Sequence, residues 1–140
     1  MPIKNYTTKI DVYTSLGEIQ GALARSGAGK IMIEYDSTGL PESICFVVSV
    51  PDFDRPQGFK LTARVDGVER VFAKQKVKAD REQAQRTAWR NIRDWVMAQM
   101  AMLESEQATL DELFLPALLG NGGQTLFEAY RGGQLLLPEA

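Results

Sequence analysis

The chain of 140 residues contains no histidine and a single cysteine, Cys45. Without histidine, neither a Ser-His-Asp nor a Cys-His catalytic arrangement can be built. A zinc site is excluded as well, since one thiolate cannot hold the ion alone. Cys45 can form no intramolecular disulfide, and its place in the apolar run Ile44–Val48 predicts a buried structural thiol. We therefore predict a protein that is not an enzyme and that needs no metal or cofactor.

The sequence also shows no long apolar run, and we expect no signal peptide. No window approaches the roughly 18 apolar residues that span a bilayer, and no basic region followed by an apolar run opens the chain. The composition, 44% hydrophobic and 24% charged, is typical of a soluble globular protein. We expect a cytoplasmic protein with no membrane partner, folded as a single domain over residues 1–140.

Positive charge is concentrated in one segment of the chain. Residues 70–93 contain eight Lys or Arg and two Asp or Glu, a net charge of +6, whereas residues 94–140 have a net charge of −6. The formal charge of the whole chain is −2, and an acidic protein is a poor nonspecific binder of nucleic acid. A local basic patch can still hold a phosphate group, a nucleotide or the acidic surface of a second copy.

The periodicity predicts an α+β fold, with an N-terminal helix, a three-stranded antiparallel sheet and a C-terminal helical layer that has one long helix. The helix and sheet fall in residues 1–66, and the helical half falls in residues 67–140. Ser15 with Glu18 forms a capping-box pattern that predicts the start of the first helix. Before it, Thr8–Tyr13 is predicted as a short strand or an extended lead-in. Alternation and turn residues predict strands over Lys30–Tyr35, Ser43–Val50 and Phe59–Val65, then a short helix over Val68–Gln75.

The C-terminal third contains further helix signals. Capping-box patterns at Thr109 with Glu112, and at Thr125 with Glu128, predict two helix starts. The first of these helices is very apolar as far as Leu119, and Pro116 predicts a kink or an early end. Three consecutive leucines, Leu135–Leu137, are expected to pack against the body or a partner chain.

The long helix is predicted from about Asp80 to about Gln107, and its surface has two stripes. The apolar stripe recurs at helical spacing and indicates packing; it consists of Trp89, Ile92, Val96, Met100 and Leu103. The arginine stripe, Arg86, Arg90 and Arg93, falls at i, i+4 and i+7, so the three charges share one side. We interpret this stripe either as an anion-binding site or as charge absorbed by local pairing of Arg86 with Glu82 and Arg90 with Asp94.

A second basic cluster precedes the long helix. Lys74, Lys76 and Lys78 lie close in sequence to Phe72, and an aromatic ring beside lysines is the pattern with which nucleotides and single strands are held. The alternative is that these lysines form the solvated face of a short helix and a loop. We keep the three lysines and Phe72 as candidate anion- or nucleotide-binding residues.

The long helix is also the predicted subunit interface. Trp95 and Met102, at i and i+7, form a second apolar set away from the main stripe, and Trp89 is an additional anchor. One apolar side can pack on the sheet while the other contacts a second copy. We therefore expect a homo-oligomer whose interface residues are Trp89, Trp95 and Met102.

Two other motifs are rejected as sites. Ser26–Lys30 resembles the end of a phosphate loop, but Ala24 stands where the first glycine belongs and Ile31 follows the lysine. Asp52 and Asp54 are a close acidic pair, which we interpret as a solvated turn between two prolines rather than a metal site.

Several segments are similar to one family. Small proteins encoded by phages and prophages resemble this chain over Arg86–Arg90, Ala98–Ser105, Thr109–Pro116 and Asn121–Thr125, and Gly17–Gln20 and Ile33–Asp36 are similar to the N-terminal half of that family. The resemblance extends over most of the chain. It implies an accessory phage protein in the host cytoplasm, and it assigns no functional residue because the family has no established activity.

Two function classes follow from these observations. The first is a non-enzymatic phage-type binding protein, an oligomeric counter-defence protein that sequesters a nucleotide signal or blocks a host defence component. The alternative is a single-stranded nucleic-acid-binding accessory of phage replication or recombination, which the net charge of −2 disfavours. The expected partners are the chain itself and a phosphate-containing small molecule or a host protein.

Overall fold

The computed structural model of the chain describes residues 1–134. Ten elements follow one another along this part of the chain. They are α1 (Val12–Arg25), β1 (Ala28–Tyr35), β2 (Pro41–Val48), β3 (Gln57–Thr62), α2 (Val65–Lys74), α3 (Arg81–Glu104), α4 (Leu110–Leu113), two 3₁₀ turns (Leu115–Ala117 and Asn121–Gly123) and α5 (Leu126–Arg131). The predicted α+β architecture is confirmed, with its N-terminal helix, three-stranded antiparallel sheet and long C-terminal helix.

The sheet has the order β1-β2-β3, and both pairs are antiparallel. Phe46 in the central strand lies opposite Ile31 on one side and Phe59 on the other. Side chains alternate between two faces: Phe46 and Phe59 are fully buried, whereas Cys45 is only half-buried. The core therefore lies on one face of the sheet. We call the other the open face; it carries Lys30, Met32, Glu34, Cys45, Val47 and Lys60.

The first helix begins earlier than its sequence predicts. Asp11, not Ser15, is the N-cap, and its carboxylate accepts a hydrogen bond from the N–H of Tyr13 at 2.7 Å. Ser15 is fully buried within α1, one turn further along. Residues 8–11 precede α1 and pair with no strand of the sheet. Glu18 is therefore not a capping residue, which leaves its carboxylate free to reach another element.

The long helix α3 supplies the other layer of the core. Asp80 caps it by accepting from the N–H of Gln83 at 2.9 Å. Within the apolar stripe, Trp89, Val96 and Met100 are buried, and the two remaining members are half-buried. The helix packs along α1 and α2, and its buried side joins α1 and the sheet in one hydrophobic core.

The C-terminal third contains less helix than its apolar residues predict. Both predicted capping boxes form, at Thr109 and at Thr125. However, α4 ends at Leu113, and Pro116 falls in a 3₁₀ turn, because proline lacks the N–H and clashes with the preceding turn. The chain then runs beside the sheet, where Leu118 pairs with Phe59. The predicted packing of Leu135–Leu137 lies outside the described residues.

An aromatic cluster attaches this C-terminal segment to the sheet. Phe46 and Phe59 stack with ring centroids 5.3 Å apart, and Phe114 meets Phe46 edge-on at 5.4 Å. Trp95 of α3 packs edge-on against Phe114 from the outside at 5.2 Å. Edge-to-face contacts of this kind add to the stabilisation that comes from burial. Residues from the sheet, α3 and the C-terminal segment thus share one core.

Candidate functional site

Two members of the arginine stripe, Arg90 and Arg93, share the carboxylate of Glu18. Arg90 donates from Nη1 to Oε2 of Glu18 at 2.5 Å, and Arg93 donates from Nη2 to Oε1 of the same side chain at 3.3 Å. The side chains of Arg90 and Arg93 are only 15% and 27% exposed. The two guanidinium groups therefore join α3 to α1, and their charge is met within the chain.

Arg93 belongs to a second set of contacts with the N-terminal segment. Its Nη1 donates to Asp94 at 3.1 Å, while Asp94 also accepts from the Asn5 amide at 2.9 Å and pairs with Lys4 at 3.3 Å. Burial raises the pKa of Asp94, but the hydrogen bonds from Asn5, Arg93 and Lys4 outweigh it and hold the pKa below its ordinary value. Nε of Arg93 is buried without a hydrogen-bond partner among the described residues.

The third member of the stripe, Arg86, contacts neutral oxygens. Nη2 of Arg86 donates to Oε1 of Gln83 at 2.6 Å, and its Nε donates to the carbonyl oxygen of Thr8 at 3.4 Å. The Gln83 amide itself donates to the carbonyls of Tyr6 and Thr8, each at 3.0 Å. The local pairs predicted for Arg86 with Glu82 and for Arg90 with Asp94 do not form, because Arg86 contacts Gln83 and Thr8 instead and Arg90 pairs with Glu18 of α1.

Phe72 does not reach the surface. Its side chain is 3% exposed because it occupies the buried side of the amphipathic helix α2, together with Val65. The prediction that Phe72 stacks on a base is therefore wrong for this fold.

Two of the predicted lysines do line a groove. It has a volume of about 490 Å³ and lies between the N-terminal segment and the loop that joins α2 to α3. Lys76 and Lys78 contribute to it, and Lys9, which the sequence pattern did not single out, is the third positive charge. The remaining lining residues are Pro2, Tyr6, Thr7, Gln75, Val77, Ala79 and Gln83. Among the residues that the structure describes, no carboxylate lines this surface, which we call the lysine groove; Lys74 is exposed on the last turn of α2, outside the lining.

Lys76 occupies a backbone position that favours glycine. Its φ is 59°, in the left-handed region, directly after the C-cap of α2. The N–H of Lys76 donates to the carbonyl of Ala73 at 3.3 Å, and that of Val77 donates to the carbonyl of Phe72 at 2.9 Å. This is the Schellman hydrogen-bonding pattern, in which the left-handed residue is usually glycine. A lysine costs roughly 1 kcal/mol of strain there. Glu106 has the same conformation after α3, with φ of 58°.

The three interface candidates have different surroundings. Trp89 is fully buried, and its indole N–H donates to the carbonyl of Pro41 at 3.3 Å, so the prediction that it forms an interface is corrected: it is a core residue. Trp95 and Met102 are 43% and 37% exposed on the outer side of α3. These two side chains remain available to a partner.

Cys45 lies on the open face, where the structure differs from the predicted buried thiol. It is half-buried, and its Sγ donates to Oε1 of Glu34 at 3.4 Å. Partial burial and the neighbouring Glu34 carboxylate raise the pKa of the thiol to about 11. A thiol with so high a pKa is a poor nucleophile at neutral pH.

The part of the chain that the structure describes contains neither a metal-ligating cluster nor a membrane-spanning helix. Asp52 and Asp54 are exposed loop residues, and residues 1–134 contain no cluster of three or more potential metal-ligating acidic or cysteine side chains. Over the same residues, no helix has both the length and the apolar character needed to cross a membrane.

Arg90 and Arg93 of the long helix are thus paired with carboxylates inside the fold, whereas the lysine groove is an exposed surface with three positive side chains. Comparisons of the chain with models of protein families, with curated proteins and with solved structures found no match.

Proposed function

We propose that this chain is a non-enzymatic binding protein that holds a phosphate-bearing small molecule, such as a nucleotide, in the lysine groove. The observation that carries the proposal is the lining of the groove, to which residues 1–134 contribute three lysines and no carboxylate. Ammonium groups bind phosphate oxygens as point charges and need no fixed fork geometry. In the phage setting that the sequence resemblance implies, such a protein would act against a host defence by sequestering a nucleotide signal.

The surroundings of the groove support an anionic ligand. Lys76 retains its side chain at a backbone position where glycine would be less strained. Tyr6, which is half-buried in the lining, offers an aromatic ring in place of the inaccessible Phe72.

A single-stranded nucleic acid is the less favoured ligand. Single strands are usually held by aromatic rings on an exposed sheet, whereas the residues of the open face are aliphatic, polar or charged. The formal charge of −2 also opposes a long polyanion. A protein that blocks a host defence component without binding a nucleotide would also be a non-enzymatic binding protein.

The test is a thermal-shift screen with cyclic nucleotides, nucleoside triphosphates and inorganic pyrophosphate, followed by titration calorimetry of each hit. A ligand at a hundred times its Kd should add about 2.7 kcal/mol to the free energy of unfolding. A single-stranded oligonucleotide of about 30 nucleotides is screened at low salt as a separate arm. Absence of any stabilising phosphate compound contradicts the proposal, and binding of the oligonucleotide alone supports the alternative.

Two variants connect binding to the groove without unfolding the chain. K78E reverses one lining charge, and R55E makes the same change in an exposed loop outside the groove as the control. K76G removes a lining charge at a left-handed position, where glycine should preserve or raise stability by up to about 1 kcal/mol. Loss of affinity in K78E and K76G, but not in R55E, is the expected result. E106G is the matched backbone control after α3.

A further inference from the structure

The outer edge of β1 has no strand beside it among the described residues. The sheet order places β1 at one edge and β3 at the other. The edge of β3 is partly covered, because Leu118 pairs with Phe59 and the N–H of Leu119 donates to the carbonyl of Gly58 at 2.8 Å. An open edge presents unpaired N–H and C=O groups that can pair with another strand.

The regular part of β1 has a self-complementary sequence. Register shifts interrupt its pairing with β2 between Ala28 and Lys30 and again between Glu34 and Tyr35. Between them the chain reads Lys-Ile-Met-Ile-Glu, from Lys30 to Glu34. Read in the opposite direction, this stretch has the same apolar centre and exchanges the two charges. Antiparallel pairing with an identical strand about Met32 therefore places Lys30 opposite Glu34 of the second copy, twice.

The side chains on β1 are incompletely covered, as an edge that accepts a partner would be. Ile31 and Ile33 face the core but are only half-buried, whereas Phe46 and Ile44 opposite them are fully buried. Met32, on the open face, is 57% exposed. In the self-paired register, Ile31 lies opposite Ile33 of the second copy, and the two Met32 side chains meet at the two-fold axis. Direct cross-strand neighbours of this kind stabilise a sheet.

We propose that two copies of this chain pair antiparallel through β1, about a two-fold axis at Met32, and form one continuous six-stranded sheet. The interface is isologous, so each contact occurs twice. An antiparallel pair alternates hydrogen-bonded and non-hydrogen-bonded positions, and a two-fold axis can pass through either kind. Glu34, which pairs with Lys60 at 3.2 Å within its own chain, would lie between that lysine and Lys30 of the second copy.

The proposal differs from an interface on α3, and it does not depend on the lysine groove. A lysine on an edge strand often prevents edge-to-edge pairing. In this strand Lys30 and Glu34 lie at equal distances from Met32. An identical strand in this register therefore places a glutamate opposite each lysine, and the lysine then favours the pairing. Charge complementarity thus favours a second copy over an unrelated strand.

The experiment measures the mass of the full chain by light scattering and sedimentation, and it uses charge reversal at the two ends of the regular stretch. K30E alone places like charges opposite each other in both pairs, and so does E34K alone. Each single variant should weaken the dimer by at least on the order of tenfold in Kd. An equimolar mixture of K30E and E34K should form a heterodimer, because every pair is then of opposite charge. The double variant K30E/E34K should recover the homodimer.

Controls separate this interface from the others. W95A changes the exposed aromatic of α3 and should leave the dimer intact, while M32K places two like charges at the axis and should abolish it. Circular dichroism and melting temperatures verify that each variant is folded. If E34K unfolds, two other single variants test the same interface: E34Q, which removes one charge of each pair, and M32K. A monomeric wild-type chain overturns the proposal and leaves the edge to a different strand. A dimer that survives K30E and M32K but is lost in W95A also overturns it.

Discussion

Glu18 and Arg90, 72 residues apart in sequence, form an ion pair at 2.5 Å between α1 and α3. The other oxygen of the same carboxylate binds Arg93 at 3.3 Å. One acidic side chain of α1 thus pairs with two partly buried guanidinium groups, and Arg93 has Asp94 as a second carboxylate partner. Glu18 should therefore be among the most important polar residues for stability.

We expect E18A to lower the free energy of unfolding by about 1–3 kcal/mol, since it leaves partly buried donors unsatisfied. D66A is the matched control, because Asp66 pairs with Arg81 at 2.9 Å on the surface, with both side chains about half or more exposed. An exposed pair is worth less than about 1 kcal/mol. Urea denaturation of both variants measures the difference, and equal effects would contradict the role assigned to Glu18.

The two tryptophans should differ in fluorescence. Trp89 is fully buried and Trp95 is 43% exposed. W95F, which retains only Trp89, should emit at shorter wavelength and resist quenching by acrylamide, whereas W89F should emit at longer wavelength and be quenched readily. W89F should also cost about 1–3 kcal/mol of stability, because the carbonyl of Pro41 loses its donor. Similar quenching of the two variants would be inconsistent with a core position for Trp89.

Asp94 should make stability depend on pH in the acidic range. Despite burial, hydrogen bonds from Asn5, Arg93 and Lys4 hold its pKa below the ordinary value. The folded state then binds fewer protons than the unfolded state, so this contribution is present above the unfolded pKa of about 3.9. It is lost as the pH falls through the lower folded pKa.

Carboxyl NMR titration should therefore give Asp94 a midpoint below about 3.9. N5G removes the amide donor and suits the positive φ of 65° at this position, so the midpoint should rise without backbone strain. In denaturation experiments below about pH 4, the stability of D94N should depend less on pH than that of the wild type. An unchanged midpoint in N5G would show that Asn5 contributes nothing to the ionisation of Asp94.

Cys45 should react slowly with thiol reagents. With a pKa of about 11, only about one thiol in a thousand is ionised near pH 8. Alkylation by iodoacetamide should be much slower in the folded chain than in the denatured chain. E34Q should accelerate it, because the carboxylate that holds the thiol proton is removed, while desolvation of the thiolate persists.

The same thiol should destabilise the fold in alkaline solution. Its raised pKa means that the unfolded chain releases the proton first, so the contribution is complete below the unfolded pKa of about 8.5. It is lost as the pH rises toward about 11. C45A should reduce this alkaline loss, and an identical alkaline profile in C45A and wild type would disprove the effect.

Sequence patterns predicted helices and strands well where the pattern lies within a single helix turn or a single strand. The capping boxes at Thr109 and Thr125, the start of the long helix near Asp80 and the alternation of β1 all depend on residues within a few positions of one another. The start of α1 was predicted wrongly at Ser15, because the capping-box pattern of Ser15 with Glu18 is present in the sequence but is not used as a cap. Asp11 is the N-cap because that start extends α1 by a full turn and buries Ser15.

The candidate site was only partly predictable. Lys76 and Lys78 were found because they are close in sequence, but Lys9 joins them only through the packing of the N-terminal segment beside the α2–α3 loop. Phe72 shares the sequence neighbourhood of these lysines and yet points to the core. The closeness of two residues in the sequence does not show which side of a helix is buried.

The amino-acid sequence by itself determined the fold class, the exclusion of histidine chemistry and the positions of most helices and strands, since these follow from composition and local periodicity. Tertiary structure decided which charges stay free. The arginines of α3 project from one side of the helix, as their spacing requires, but that side meets Glu18 and the N-terminal segment. A guanidinium group that finds a carboxylate from another element is satisfied within the fold, and only the folded chain brings the two together.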